Sequence, residues 1–163
     1  MDGTKAPVSA PPPEITGAVR ERIAADPFCR HLGIELEALR PGYARLGMAL
    51  TPDMLNFHGT AHGGAVFALA DAAHAAASNS HGDPAVALHV GLDYVAPARA
   101  GCRLVAEAVE EERGRRTALY RLTVREEGTG RLIAAGQGRV YIMERENGGL
   151  RRSGESPGAG EAR

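Results

Sequence analysis

The stretch LNFHGTAHGGAVFALADAAHAAASN, residues 55–79, decides the reading of this chain. It opens as a turn-rich loop and continues as an alanine-rich run. That run predicts a helix from about Gly63 to Asn79, with Thr60 as its candidate cap. Val66, Phe67, Leu69 and the alanines cover the whole circumference of this helix. A helix apolar all round needs burial on nearly all sides.

The flanks supply what would bury it. Upstream, EITGAVRERIAA (Glu14–Ala25) has helical spacing through Ile15, Val19 and Ile23. Asp26 and Pro27 read as the cap and first position of a short second helix that Gly33 stops. Two strand-like runs follow, Ile34–Leu39 and Tyr43–Leu50, joined at Pro41-Gly42. Downstream come Ala85–Tyr94, Arg103–Glu111, Arg116–Arg125 and Leu132–Met143. Strands joined by short turns pair antiparallel. The expected class is α+β, with an antiparallel sheet wrapped around one long central helix.

The chain has 163 residues, enough for one ordinary domain. Residues 1–13 hold four prolines and read as a disordered arm, and residues 146–163 read as a disordered tail, leaving 14–145 as the folded unit. A net charge of -1 gives no basic field for nucleic acid or an acidic membrane. Lys5 is the only lysine against eighteen arginines. Arginine suits phosphate recognition, although a GC-rich genome gives the same bias. Cys29 and Cys102 form no disulfide or zinc pattern, so a cytoplasmic location is expected. The N-terminus lacks the apolar segment of a signal peptide. The longest apolar run, broken by Asp71 and His74, is too short and too polar to span a bilayer.

Chemistry enters with Asp71, a carboxylate set among alanines in the middle of a helix. Such a group is costly unless it is paired or reaches solvent at a cavity. It is either a structural carboxylate held by backbone or arginine, or a catalytic base or nucleophile. His62-Gly63-Gly64 stands where the helix begins. Free N–H groups and the positive dipole end lie there, and glycine admits a ligand carbonyl. That is how an oxyanion site is built from backbone, though a Gly-rich turn into a helix has the same composition. Gly64 and Asp71, seven residues apart, share a face but stand about 10 Å apart along the axis. One ester carbon cannot touch both. A second copy packed antiparallel by two-fold symmetry brings Asp71 of one chain to Gly63-Gly64 of the other. The expectation is a homodimer with two composite active sites. Asn56 and His58, in the preceding loop, are polar enough to orient water or a carbonyl.

Other chemistries lack their motifs. There is no G-x-S-x-G elbow, no H-E-x-x-H and no phosphate-binding glycine loop. His58 and His62 straddle a glycine-containing loop, so no metal is expected. Arg113, Arg115 and Arg116 cluster at a turn between two late strands. They are either a solvated hairpin tip or phosphate ligands of a nucleotide-containing thioester, and Arg99 is a weaker candidate of the same kind.

The 55–79 stretch resembles the signature of the phenylacetic-acid-degradation (PaaI-like) thioesterases of the hotdog superfamily. AVALHVGLDYVAPARAG and GRRTALYRLTV resemble later parts of the same family, so the likeness runs from about Asp26 to Met143. It implies an acyl-CoA hydrolase, acting on phenylacetyl-CoA or its hydroxylated derivatives. It implies Asp71 as the catalytic carboxylate and Gly63 as the oxyanion donor. His62 and Asn56 would be polar partners of thioester and water. Apart from the resemblance, Gly64 at the helix start and the cations Arg99, Arg115 and Arg116 are the expected substrate-binding residues. No cofactor is implied, because coenzyme A is part of the substrate. The assembly implied is a homotetramer of two dimers. Ala72, His74 and Ala87 stand where many relatives carry hydroxyl or aromatic side chains, and the missing aromatic would widen or polarise the acyl pocket. The alternatives are a hotdog enoyl-CoA hydratase and a non-catalytic acyl-CoA-binding module.

Overall fold

The structure, a computed structural model, describes residue 15 and residues 17–144. The proline-rich arm (1–13) and the tail (146–163) lie outside the described residues. Helices α1 (Gly17–Ala24) and α2 (Pro27–His31) come first. Asp26 caps α2 by accepting from the Phe28 and Cys29 N–H groups, with Pro27 in the first turn, as its sequence predicts. Strands β1 (Ile34–Arg40) and β2 (Tyr43–Ala49) follow, then a short 3-10 turn at Pro52–Met54 and helix α3 (Gly63–Asn79). Strands β3 (Ala85–Tyr94), β4 (Arg103–Arg113), β5 (Thr117–Glu126) and β6 (Leu132–Ile142) complete the unit.

The six strands form one sheet in the order β1-β2-β4-β5-β6-β3. Every neighbouring pair is antiparallel. This is the hotdog architecture, with α3 laid across the sheet's inner face. Alternation sets that face: Ala44, Leu46 and Met48 on β2, Leu104, Ala106 and Ala108 on β4, and Tyr120, Leu122 and Val124 on β5 are all buried. Alanines at the crossing let α3 come close. Its C-terminal end is tied on both sides. Ser80 Oγ accepts from the Gly42 N–H at 2.8 Å, in the β1–β2 turn. Asn79 pairs both backbone groups of Ala85 at the start of β3.

Two expectations need correction. The helix is not enclosed on nearly all sides, because the sheet covers only one. Val66, Leu69, Ala70, Ala73, Ala76 and Ala77 are buried, while Gly64, Phe67 and Ala75 are exposed and Ala68, Asp71 and Ala72 are half-buried. Those positions recur every three or four residues and form one stripe along α3. The cap of α3 is His62, not Thr60: the His62 Nδ1 accepts from the Gly64 N–H at 2.9 Å. Thr60 is drawn away because its N–H and Oγ1 are engaged by the Asn56 side chain.

Candidate active site

The loop before α3 is braced from within. Asn56 Oδ1 accepts from the His58 N–H at 2.9 Å and the Thr60 N–H at 3.3 Å, and Asn56 Nδ2 donates to Thr60 Oγ1 at 3.0 Å. Gly59 turns the loop with φ at +74°, a left-handed conformation that favours glycine. The loop's end is moored twice more, by the His62 N–H on Met54 O and the Ala61 N–H on Ala98 O, both at 2.8 Å. Asn56 therefore spends its amide on shaping the loop.

This rigid entry controls the helix terminus. The N–H groups of Ala65 and Val66 bond His62 O, and that of Gly64 bonds the His62 ring. The Gly63 N–H has no partner among the described residues. Because Nδ1 accepts from the Gly64 N–H, a neutral His62 ring carries its proton on Nε2, and the residue is exposed. Gly63 and Asn56 line the same 310 Å³ cavity with Val66, Tyr94 and Ala98. Tyr94 was missed by the sequence: its hydroxyl donates to Gly63 O at 3.0 Å and fixes the first helical peptide. A Cβ on Gly63 would stand 3.3 Å from the Tyr94 ring and hydroxyl, so this approach is kept open by glycine.

Asp71 lies two turns further along α3, on the exposed stripe, about 12 Å from Gly63 along the axis. Its carboxylate has no hydrogen bond or ion pair among the described residues, so the structural explanation by a nearby backbone group or arginine fails. Burial raises its pKa above the usual 3.8. Beside it on the same stripe, Ala72 and Ala75 line a second cavity of 390 Å³ that also involves Ile23, Cys29 and Leu36. Burial there pushes the Cys29 thiol up to about 11, so it is a poor nucleophile.

The arginines divide. Arg99 is exposed and follows Ala98, which lines the Gly63 cavity, without lining that cavity itself. Arg115 is exposed, and Arg116 is engaged by Glu144 and Tyr141. Both belong to the β4–β5 turn, at the C-terminal end of α3, where Arg113 pairs with Asp83 at 3.0 Å. Within one copy they do not join Gly63. Among the described residues no group of three His, Cys, Asp or Glu could hold a metal ion, and no helix is long and apolar enough to cross a membrane. His74 does not line either cavity. It is 1% exposed and packs edge-on against Tyr120, with ring centroids 5.3 Å apart, so its effect on an acyl pocket expected from sequence is corrected to a role in the core.

A family model described as "Thioesterase superfamily" matches residues 58–133. A putative esterase of Archaeoglobus fulgidus is 43% identical over 108 residues, 66% of this chain and 70% of the relative. The acyl-coenzyme A thioesterase PaaI of Escherichia coli is 38% identical over 99 residues, 61% of this chain and 71% of the relative. Among solved structures, a point variant of the phenylacetic acid degradation protein PaaI from Thermus thermophilus superposes with a TM-score of 0.69 at 47% identity, over 72% of this chain and all (100%) of that one.

Proposed function

The chain belongs to the thioesterase superfamily as a PaaI-like hotdog thioester hydrolase, and from that premise we propose that it cleaves acyl-coenzyme A thioesters at a site shared by two copies. The observation that carries this is the unpartnered Asp71 carboxylate on an uncovered helix face, two turns from the free Gly63 N–H.

Two copies with antiparallel α3 helices complete both sites. The face to be covered is apolar and bears Phe67. Strand β3 ends the sheet with Val86 47% and Leu88 56% exposed, an open edge that invites a second strand. In the composite site the thioester oxygen accepts from the Gly63 N–H. As the tetrahedral oxyanion forms, that bond and the helix dipole strengthen. Asp71 of the other copy takes the proton from attacking water as it adds to the carbonyl carbon, or attacks that carbon itself to give an anhydride that water then opens. The thiolate of coenzyme A leaves without needing a strong acid. No cofactor is required, because coenzyme A enters as part of the substrate. Aryl-acyl substrates, phenylacetyl-CoA and its hydroxylated derivatives first, are the proposed acyl class, and Arg99, exposed next to cavity-lining Ala98, is the proposed cation for substrate phosphate. The tetramer would be two of these dimers.

The test is thiol release from aryl-acetyl, benzoyl, short-chain and long-chain acyl-CoAs, with Asp71→Asn beside the native protein and the mass of each measured in solution. A dimer or a multiple of it, with turnover lost by about 10²-fold or more in the variant, supports the reading. A folded Asp71→Asn protein with near-native turnover removes Asp71 from the chemistry.

A further inference from the structure

Phe57 is 93% exposed at the tip of the loop before α3. Its ring packs against the neighbouring His58 ring, with centroids 4.0 Å apart. Exposed aromatics on mobile loops are ordinary, but this loop is fixed. The Asn56 side chain holds it from inside, and a bridge between Leu55 and Ala61 closes it. The chain thus holds a large apolar side chain rigidly in water, beside the catalytic helix terminus.

The second fact is the 390 Å³ cavity reached by Ala72 and Ala75. It has the size of an ordinary small-ligand site. It opens on the same stripe of α3 as Asp71, and Ala75 is one helical turn beyond that carboxylate, about 6 Å along the axis. Ala75 is exposed among the described residues.

Register connects the two. If Gly63 of one copy meets Asp71 of the other across antiparallel helices, then Ala75, four residues past Asp71, lies about 6 Å beyond the N-terminal end of the first copy's helix. The Phe57 loop enters the helix at that end. We propose that Phe57 of one copy roofs the acyl cavity of the other, and is a specificity-determining residue for the acyl group. This rests on the composite-site reading above. The carbonyl oxygen is held at Gly63 of the first copy. The acyl group runs past Asp71 of the second copy into that copy's cavity, under Phe57 of the first. Acyl groups long or broad enough to reach the roof gain contact with it, and the shortest ones do not.

The experiment uses the full chain in mixed dimers. One chain carries Asp71→Asn and the other Gly63→Val, each with its own affinity tag, and the two are co-expressed. Neither homodimer has a complete site, while the mixed dimer has one, made of Gly63 from the first chain and Asp71 from the second. Phe57→Ala is then placed on either chain, and the ratio of kcat/KM for octanoyl-CoA to that for butanoyl-CoA is measured. On the Asp71→Asn chain, which supplies Gly63, Phe57→Ala should lower that ratio on the order of tenfold, the usual scale for a lost apolar contact in a pocket. On the Gly63→Val chain it should leave the ratio where it was. A ratio that is unmoved on both chains, that falls equally on both, or that rises overturns the inference while leaving the composite site intact. A mixed dimer that releases no thiol overturns the composite site itself, and the roof with it.

Discussion

Replacing His74 by leucine should make this protein less sensitive to acid, and the structure sets the size of the effect. The His74 ring is 1% exposed, its Nε2 has no hydrogen-bond partner among the described residues, and burial lowers its pKa from 6.5 to about 4. Between those values the unfolded chain binds a proton that the folded chain refuses. Stability is therefore complete above about pH 7 and falls as pH drops through 6.5 toward 4. Between pH 8 and pH 5 the linkage costs about 2 kcal/mol. For a domain of this size that is a loss of roughly 4–8 °C in Tm. His74→Leu removes it. The variant also loses the edge-on contact with Tyr120, but at both pH values alike. Asp71 titrates in the opposite sense: its raised pKa favours the folded state as pH falls. It is present in both proteins and cancels from the comparison. The assay is thermal or urea unfolding of native and variant proteins at pH 8 and pH 5, at one protein concentration. If both lose the same stability between those pH values, the buried neutral histidine is not the acid-sensitive group.

Three further outcomes follow from the same contacts. Since Asp71 must be ionised to act as base and burial raises its pKa, the acid limb of kcat/KM should fall above 3.8 and be missing from the residual activity of Asp71→Asn; a limb at or below 3.8 contradicts the burial. Gly138→Ala would put a Cβ 2.6 Å from His74 Nε2 and should cost about 1–3 kcal/mol in urea unfolding, a cost largely recovered when His74→Ala is added; additive losses would mean that the clash lies elsewhere. Asn56→Ala removes the loop's internal bonds and should lower stability by roughly 1–3 kcal/mol while also slowing thiol release, and an unchanged Tm would mean that the loop is held without its amide.

Much of the fold was legible because its signals are local. The alanine run marked α3 at its observed bounds, and Pro41-Gly42 and the alternation within Tyr43–Leu50 marked the first hairpin, whose second strand ends one residue earlier, at Ala49. What escaped depends on distance or on copies. Alanine is equally at home in a core and against a second helix, so composition could not separate the covered side of α3 from the stripe bearing Asp71. Tyr94 ends a strand thirty-one residues after Gly63, and nothing in its local sequence says that its hydroxyl reaches that carbonyl. Thr60 looked like the better cap because threonine is a common one. The choice fell to His62 once Asn56 had claimed Thr60. The 390 Å³ cavity gathers residues from several separated segments, which no spacing rule foresees.

The loop and the helix terminus make sense together as a way of leaving one donor unused. A helix begins with four N–H groups that lack partners in the helix. Here Met54 O takes that of His62, the His62 carbonyl takes that of Ala65, and the His62 ring takes that of Gly64. Tyr94 holds the carbonyl of Gly63 in the following peptide, and the His62 carbonyl, which shares a peptide with the Gly63 N–H, is held by the Ala65 and Val66 N–H groups. Asn56 fixes the loop that sets the position of His62. The Gly63 N–H is left, aligned with the helix dipole and lining a cavity. A donor held in place before the reaction need not reorganise as charge develops on the substrate oxygen, and stabilisation of this kind acts on the transition state more than on the bound substrate. The same economy gives Asn56 and His62 a place beside Gly63: their bonds fix where that N–H points, while in the proposed composite site the carboxylate would come from the uncovered face of another copy.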